Sequence, residues 1–277
     1  MKKLIVALTA IAVFGLTSLS LQASPTEDLE AFKGYFYKKF PDTAKDDFIN
    51  GVYSIDKPSR EQWEEMEEFP PYELDVDNGK DMWEKPFANG KTYASCLGED
   101  VSAIRGQFPR HNAKTDTLET LESQINACRT ANDEKPLKWK KGKLATLSAY
   151  IAFEGRDKII DIKVEGEKAE AWYNKGKQFF YAKRGQLNMS CADCHINNAG
   201  NKIRADLLGP ALGQPSHFPV YRSKWGGLGT LNRRYAGCNK QVRAKPFKAQ
   251  SDEYKALEYF HTYMSNGLKW NGPGSRK

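Results

Sequence analysis

The sequence CADCH at residues 191–195 constrains this chain more than any other feature. Two thiols three positions apart can bond the two vinyl groups of one haem, and the adjacent histidine then lies under the iron as an axial ligand. A structural zinc site would need a further Cys or His pair at close spacing, and a thioredoxin-like dithiol would need a βαβ context. The surrounding sequence supplies neither. The motif therefore predicts one covalent haem c on Cys191 and Cys194, with His195 as an iron ligand.

Residues 1–23 have the organisation of an export signal. Lys2 and Lys3 precede an apolar run over residues 4–21, and Ala23 offers a small residue for cleavage. A retained membrane anchor is the alternative, but small and polar residues interrupt the run and no stop-transfer pattern follows. No later segment is apolar enough to span a bilayer. The sequence therefore predicts a periplasmic protein with no membrane span after signal cleavage.

The formal net charge of +7 is distributed unevenly along the chain. Acidic residues are concentrated in residues 59–100, whereas Arg and Lys are concentrated in residues 222–248. A basic patch on an exported protein can hold an anionic substrate, an acidic partner or a membrane surface, although a merely solvated basic face fits the charge equally well. Export argues against nucleic acid as a partner.

Helical periodicity is present in several segments. Apolar residues recur at intervals of three and four in residues 117–129, 144–153 and 252–264, which predicts three amphipathic helices. Gly267 lies just beyond the last of these segments, in a helix-terminating position. These segments predict a mainly α protein with few strands.

A weak internal repeat divides the chain. The segment from Trp83 to Cys96 and the segment from Trp172 to Cys191 share a Trp, a following Gly-Lys pair, an aromatic residue and a final Ser-Cys. In both segments a predicted helix leads into a cysteine. After the export signal, we therefore predict an N-terminal helical domain over residues 24–140 and a C-terminal one over residues 141–277.

Two cysteines in the first half lie outside any haem-binding motif. Cys96 is followed by Leu-Gly-Glu, and Cys128 lies in a segment with helical periodicity. In an oxidising compartment a disulfide between them is the favoured interpretation, and two free buried thiols are the alternative.

Cys238 is the fifth cysteine and lies close in sequence to several Arg and Lys residues. Neighbouring cations stabilise a thiolate, so we expect a low pKa for this thiol. It can bind iron, act as a nucleophile or do both; a buried spare thiol is the alternative. The second axial position of the haem has other candidate ligands, namely Met189, Met264, His111, His217 and His261.

Short motifs along most of the mature chain match a known pattern. They are Gln62-Trp63-Glu64, Pro70-Pro71-Tyr72-Glu73, Trp83-Glu84, Phe87-Ala88-Asn89-Gly90-Lys91, Gly185-Gln186-Leu187-Asn188-Met189-Ser190, and Arg233-Arg234-Tyr235. The fifth leads directly into the CADCH motif, and the last precedes Cys238. Together they resemble the SoxA family, the catalytic subunits of SoxAX thiosulfate-oxidising cytochromes.

The resemblance implies a fold and a reaction. SoxA proteins consist of two cytochrome c-like domains and pair with the small cytochrome SoxX. The pair joins thiosulfate to a cysteine of the carrier SoxYZ, an L-cysteine S-thiosulfotransferase activity. In the family a distal cysteine, often a persulfide, is the second iron ligand, which corresponds to Cys238 opposite His195. The substrate-binding arginine four residues earlier corresponds to Arg234, and we expect help from Arg233, Lys240 or Arg243.

One departure from the family pattern concerns the N-terminal domain. Many SoxA proteins carry a second CxxCH there, whereas this chain has only Cys96, with Cys128 at the place of the distal ligand. The resemblance thus implies a single-haem protein whose N-terminal cytochrome c-like domain lacks haem, with the Cys96–Cys128 disulfide near the vacated site. A non-catalytic electron-transfer cytochrome, with a Met or His distal ligand such as Met264 and an incidental Cys238, is the competing hypothesis.

Overall fold

Helices are the main regular elements of the protein. The computed structural model describes residues 23–276, so the predicted export signal lies outside the described residues except for Ala23. The helices are α1 (Pro25–Lys39), α2 (Lys57–Glu68), α3 (Glu73–Glu84), α4 (Ala94–Leu97), α5 (Val101–Ile104), α6 (Leu121–Ala131), α7 (Lys143–Glu154), α8 (Glu167–Tyr181), α9 (Leu231–Gln241) and α10 (Asp252–Tyr263). The mainly α prediction is confirmed. Within the described part of the chain, none of these helices has the length and hydropathy needed to cross a bilayer.

The strands are short and form three small sheets. They are β1 (Arg110–Asn112), β2 (Thr117–Glu119), β3 (Lys202–Ile203), β4 (Asp206–Leu207), β5 (Val220–Arg222), β6 (Gly227–Gly229) and β7 (Gly274–Arg276). The β1–β2 and β3–β4 pairs are antiparallel. In the third sheet β5 pairs with β6 antiparallel, with Val220 opposite Gly229, and with β7 parallel, with Val220 opposite Gly274.

Capping corrects one predicted helix boundary. The helix predicted over residues 117–129 begins at Leu121, and the three residues of β2 precede it. Thr120 has extended backbone angles, and its hydroxyl accepts a hydrogen bond from the backbone N–H of Ser123 at 3.1 Å. The Ser123 hydroxyl in turn accepts from the backbone N–H of Thr120, and this reciprocal capping box fixes the start of α6. The other two predicted helices correspond to α7 and α10.

The same helix crossing occurs in each half of the chain. Helix α3 crosses α7, and α8 crosses α10, with a glycine at each point of closest approach. A Cβ on Gly79 would overlap the Thr146 carbonyl, and a Cβ on Gly176 would overlap the Ala256 carbonyl. Only glycine allows the helix backbones to approach this closely. The two crossings are therefore equivalent.

The hairpin and helix between the crossing helices also recur, at one fixed sequence interval. The β1–β2 hairpin leads into α6, as the β5–β6 hairpin leads into α9. The residues that recur are Phe108-Pro109 with Phe218-Pro219, Leu118 with Leu228, Thr120-Leu121 with Thr230-Leu231, Cys128 with Cys238, and Lys135-Pro136 with Lys245-Pro246. Both Phe-Pro peptide bonds are cis. Cys128 and Cys238 therefore occupy equivalent positions in the two halves.

A disulfide joins Cys96 on α4 to Cys128 on α6, as the sequence favoured. The sulfurs are bonded at 2.07 Å across a sequence separation of 32 residues. Closing a loop of this length stabilises the folded state by about 3–4 kcal/mol. The Asn132 amide lies 3.5 Å from the Cys96 sulfur and donates to the Cys128 carbonyl at 2.8 Å.

Two hydrophobic cores underlie the two halves. The N-terminal core contains side chains from α3, α6 and α7, and the C-terminal core contains side chains from α1, α8, α9 and α10. Helix α1 thus packs with the second half, through Leu29, Phe32 and Phe36. Helix α7 packs with the first half although it follows residue 140. The predicted domain limits at 24–140 and 141–277 stay a prediction, and the packed cores divide the chain differently.

Hydrogen bonds between the halves follow a pseudo-twofold pattern. The Thr120 hydroxyl donates to the Gln250 side-chain oxygen at 2.8 Å. The equivalent Thr230 donates from its hydroxyl to the Trp139 carbonyl at 3.1 Å and from its backbone N–H to the Lys140 carbonyl at 3.2 Å. Lys140 and Gln250 are separated by the same sequence interval as Thr120 and Thr230. Equivalent ends of the two halves therefore hold each other in place.

A buried charged cluster lies at this junction. Arg105 is buried and its guanidinium lies 3.6 Å from the centre of the Trp270 ring. Its charge acts on the buried carboxyl groups of Glu122 and Glu258. Asn232, at the start of α9, donates to Glu258 at 3.1 Å. One cation beside two acids leaves one carboxyl without a compensating charge if both ionise.

Replacing Glu258 with Gln is expected to remove a pH dependence of stability. Burial, together with Glu122, raises the pKa of Glu258 to about 8 despite the opposing effect of Arg105. The unfolded chain releases this proton near pH 4.5. Between these two pH values the folded state holds an extra proton, so the free energy of unfolding falls as pH rises, by at most about 1.4 kcal/mol per pH unit.

Denaturant titrations across this pH range measure the effect. Glu258→Gln should lose this slope and exceed the wild type in stability at the alkaline end. The matched control is Glu61→Gln on the exposed face of α2, which should leave the slope unchanged. Parallel curves for wild type and Glu258→Gln would contradict the assignment of the proton to Glu258.

Candidate haem and sulfur site

A short helical turn presents the CADCH side chains. Ser190 precedes the turn, and its hydroxyl accepts a hydrogen bond from the backbone N–H of Asp193 at 3.0 Å. The Asp193 carboxylate accepts from the Ser190 backbone N–H at 2.9 Å. This reciprocal pair is a capping box, and it encloses the first cysteine of the motif. Cys191, Cys194 and His195 are thereby fixed on one turn.

The His195 ring is oriented by the loop that follows the motif. Its Nδ1 lies 2.9 Å from the Gly209 carbonyl oxygen and 2.8 Å from the Gln214 side-chain amide. The Gly209 carbonyl oxygen can only accept, so that contact puts the proton on Nδ1 and the lone pair on Nε2. In this tautomer the Gln214 amide nitrogen, itself a donor, bonds the Gly209 carbonyl oxygen at 3.3 Å rather than Nδ1. A histidine held in this way is prepared to bind a metal through Nε2.

A cavity of about 520 Å³ opens above this turn. Its lining includes Cys191, Cys194 and His195 from the motif and Cys238 from α9. Much of the rest is apolar, including Phe180, Leu187, Phe218, Val220, Leu231 and Leu257. The volume is typical of a cofactor pocket. Two thiols on one turn, an imidazole nitrogen and a further thiol within an apolar cavity fit the attachment and axial ligation of haem c.

Cys238 and Arg234 lie one turn apart on α9, so their side chains share one face of the helix. Burial alone would raise the pKa of the Cys238 thiol. Arg234, His195 and Arg222 outweigh burial and lower that pKa to about 7. Cys238 therefore shares the cavity with the imidazole and with two guanidinium groups, and all three lower the pKa of its thiol.

A second cavity, of about 470 Å³, adjoins the first and is strongly basic. We call it the basic vestibule. Its charged lining consists of Lys140, Lys141, Arg222, Lys224, Arg233, Arg234 and Lys240, with Asp206 as the acid. Arg222 and Arg234 line both cavities, so the vestibule leads to the thiol of Cys238. This arrangement concentrates anions next to that thiol.

The three predicted helper cations differ in position. Arg233 and Lys240 line the vestibule, whereas Arg243 lies outside the lining of both cavities. The Arg233 guanidinium lies 4.2 Å from the centre of the Trp225 ring and donates to the Leu228 carbonyl at 3.1 Å. Arg233 is therefore engaged in contacts with Trp225 and Leu228, whereas Lys240 is exposed.

The alternative axial ligands are dispersed. Met264 is buried in the C-terminal core, outside the cavity lining, and His111 lies on β1 in the first half. Met189, His217 and His261 line the cavity. Both ring nitrogens of His261 lie 3.2 Å from a protein oxygen, which fills its hydrogen-bonding capacity.

Three groups of site residues were missed by sequence analysis. Gly209 and Gln214 orient the imidazole, and the only local signal is the Gly209-Pro210 pair. Arg222 reaches the cavity through the pairing of β5, which no local pattern reports. Lys140 and Lys141 come from the other half of the chain, and the pseudo-twofold contact between the halves brings them to the vestibule.

Comparisons with known proteins agree with this arrangement. A family profile described as SoxA/TsdA, cytochrome c domain, matches residues 78–160 and 175–270. A cytochrome c domain implies haem c as cofactor. The chain is 56% identical over 259 residues to the L-cysteine S-thiosulfotransferase subunit SoxA of Chlorobaculum tepidum, covering 94% of this chain and 90% of that relative.

Two further relatives extend the similarity. The SoxA subunit of Allochromatium vinosum, which carries the same name, is 51% identical over 257 residues, covering 92% of this chain and 91% of that relative. The crystal structure of SoxXA from P. pantotrophus has a chain that superposes with a TM-score of 0.72 at 34% identity, covering 78% of this chain and 84% of the other.

Proposed function

The chain belongs to the SoxA family of c-type cytochromes, and we propose that it is an L-cysteine S-thiosulfotransferase that conjugates thiosulfate oxidatively to a cysteine of a SoxYZ carrier. The observation that carries the proposal is the placement of Cys238 beside Arg234 in a cavity that also contains the CADCH residues. An electron-transfer cytochrome needs neither an acidic thiol nor an anion-binding guanidinium at its haem.

The proposed cofactor is one covalent haem c. Cys191 and Cys194 would form its thioether bonds, and His195 and Cys238 would hold the iron. Haem c, when bound, supplies a one-electron acceptor, so the two electrons of the conjugation leave in separate transfers, and a haem on a SoxX partner can take or relay the second.

The side chains divide the sulfur chemistry between them. Arg234 and Arg222 hold the sulfonate oxygens of the thiosulfate dianion, since guanidinium groups bind such oxygens through paired hydrogen bonds. Cys238, as thiolate or persulfide, supplies the sulfur atom that contacts and reacts with the substrate. Overall, the outer sulfur of thiosulfate bonds to the carrier sulfur, and one proton and two electrons leave. The carrier product keeps a single negative charge on its sulfonate.

The basic vestibule supports an anionic substrate and a carrier that approaches from outside. Its cations draw thiosulfate toward Cys238, because Arg222 and Arg234 line both the vestibule and the cavity that contains this thiol. We propose SoxX as the heterodimer partner and the periplasm as the compartment, where the predicted export signal and an oxidised Cys96–Cys128 pair are compatible.

Reconstitution tests the proposal directly. The holoprotein, SoxX, SoxYZ and thiosulfate are combined, and the intact mass of the carrier is measured with and without SoxX. A thiosulfate adduct on the carrier cysteine is the expected result. Intact mass of the chain itself should show one haem and one disulfide. A fully haem-loaded protein that forms no adduct would contradict the proposed activity.

Absorption and EPR spectra distinguish the proposed thiolate ligation from the competing electron-transfer hypothesis. An electron-transfer cytochrome with Met264 as distal ligand would give the absorption and EPR spectra of a His/Met haem in the oxidised state. Ligation by Cys238 gives those of a His/thiolate haem and a lower potential than methionine ligation.

A further inference from the structure

Arg276, on β7, is a buried arginine at the wall of the haem cavity. Its side chain is 7% exposed and lines the cavity. Its guanidinium lies 4.8 Å from the centre of the Tyr53 ring, and Nη1 donates to the Ser275 carbonyl at 2.7 Å. A cation removed from water in this way is normally paired with an anion.

The other terminal nitrogen of Arg276 has no hydrogen-bond partner within residues 23–276. Glu67 is the carboxylate in its electrostatic surroundings, but the Glu67 oxygens accept from the Ser275 backbone N–H and the Trp63 and Tyr72 side chains, and none of these hydrogen bonds involves Arg276. A buried donor without an acceptor is unfavourable by about 1–3 kcal/mol, and more for a charged group. The missing acceptor is therefore expected from a ligand.

Gly51 keeps the space next to this nitrogen open. It has φ +59°, a conformation that side-chain-bearing residues rarely adopt. A Cβ there would lie 3.8 Å from Arg276 Nη2 and 3.7 Å from His217 Cε1. Both glycine and guanidinium line the cavity. The Gly51 backbone and the Arg276 guanidinium therefore form one part of the cavity wall, next to any acceptor that binds there.

A second arginine in the same cavity, Arg184, also has a terminal nitrogen without a partner in the described part of the chain, but its surroundings differ. Its charge acts on Cys191, the first of the two attachment cysteines. Arg276 instead interacts electrostatically with Tyr53, Glu67 and Tyr72. In haem c the thioether-bearing pyrroles are not the ones that carry the propionates. Of the two arginines, Arg276 is thus the one away from the thioether edge.

We propose that Arg276 binds a propionate carboxylate of the haem and so anchors the edge of the macrocycle that no cysteine holds. The guanidinium supplies the paired donors that a carboxylate accepts, and the propionate supplies the anion that the buried arginine lacks. Arg276 is thereby a positioning residue for the cofactor. The inference rests on the proposed covalent haem and is independent of the sulfur chemistry.

The test uses two variants of the holoprotein, Arg276→Gln and Arg276→Lys. Loss of the cation leaves a propionate charge uncompensated, which favours the ferric state; we expect the ferric–ferrous equilibrium of Arg276→Gln to shift about tenfold toward ferric haem. Arg276→Lys keeps the positive charge but loses the paired N–H donors of the guanidinium, so the haem reduction potential of this variant should stay near that of the wild type. In both variants the propionate bands of the resonance Raman spectrum should move.

Arg105→Gln is the matched control, because Arg105 is an equally buried arginine outside the cavity lining. It should lower stability without changing the potential or the propionate bands. Unchanged propionate bands in Arg276→Lys would overturn the proposal even if Arg276→Gln does not accumulate. Equal shifts in Arg105→Gln would overturn it as well. A wild-type protein without haem would contradict the proposed function itself, a result that a haem assay distinguishes from the others.

Discussion

Replacement of Cys238 with Met is expected to leave haem attached while thiosulfate-dependent turnover falls by at least about a thousandfold. The proposed attachment depends on Cys191 and Cys194, which this change does not touch. A thioether can still bind iron, but it carries no negative charge and cannot become a persulfide. Carrier adduct formation measures the loss of turnover, and the haem absorption of the same sample measures attachment.

Met264→Leu is the matched control for this experiment. The two side chains have similar volume, so the core around Met264 should tolerate the change. This variant should retain the activity and spectrum of the wild type. The competing electron-transfer hypothesis predicts the reverse, namely an altered spectrum for Met264→Leu and an unaltered one for Cys238→Met. That pattern would contradict the assignment of Cys238 as the distal iron ligand.

Replacement of Arg234 with Gln is expected to reduce kcat/KM for thiosulfate by about a hundredfold, since a charge-assisted hydrogen bond to the substrate and its field on the thiolate are both lost. Burial of Cys238 would then act with less opposition, and the pKa of its thiol would rise from about 7. Steady-state rates over a range of thiosulfate concentrations measure the change.

Two companion variants define what Arg234 contributes. Arg234→Lys should recover part of the activity, because it restores charge without paired donors. Lys240→Gln, at an exposed position of the vestibule, should change kcat/KM only about twofold, with an effect that disappears at high ionic strength. A hundredfold loss for Lys240→Gln, with no loss for Arg234→Gln, would contradict the assignment of Arg234 as the substrate-binding cation.

Local chemistry made much of the site predictable. The CADCH motif is contiguous, so its thiols and imidazole lie close together whatever the tertiary fold. Arg234 and Cys238 stand four residues apart within one helix, which places them on one face. Helix periodicity identified α7 and α10, although both helices are buried on nearly every face and not along a single stripe. The start of α6 was misplaced because a cap residue, not periodicity, sets it.

Long-range placement was not predictable in this way. Arg276 reaches the cavity only because β7 pairs with β5, and the chain between them folds through α9 and α10. The Gly209 carbonyl becomes a partner of His195 only when the loop between them closes. The internal repeat is visible in the sequence, yet the part that sequence analysis identified ends at the first cysteine of each half. The stronger match begins after these cysteines, at Phe108 and Phe218.

The equivalence of Cys128 and Cys238 bears on how the protein matures. In the first half, a bond between two of the chain's own sulfurs connects α6 to α4. In the second half, the proposed link from α9 to the CADCH turn passes through iron, and it must wait until the cofactor is delivered. Oxidation alone can complete the link in the first half, without any cofactor. The second half therefore matures only when the cofactor is supplied. Under haem shortage, a precursor is expected to accumulate in which the Cys96–Cys128 disulfide is formed and the link between α9 and the CADCH turn is not.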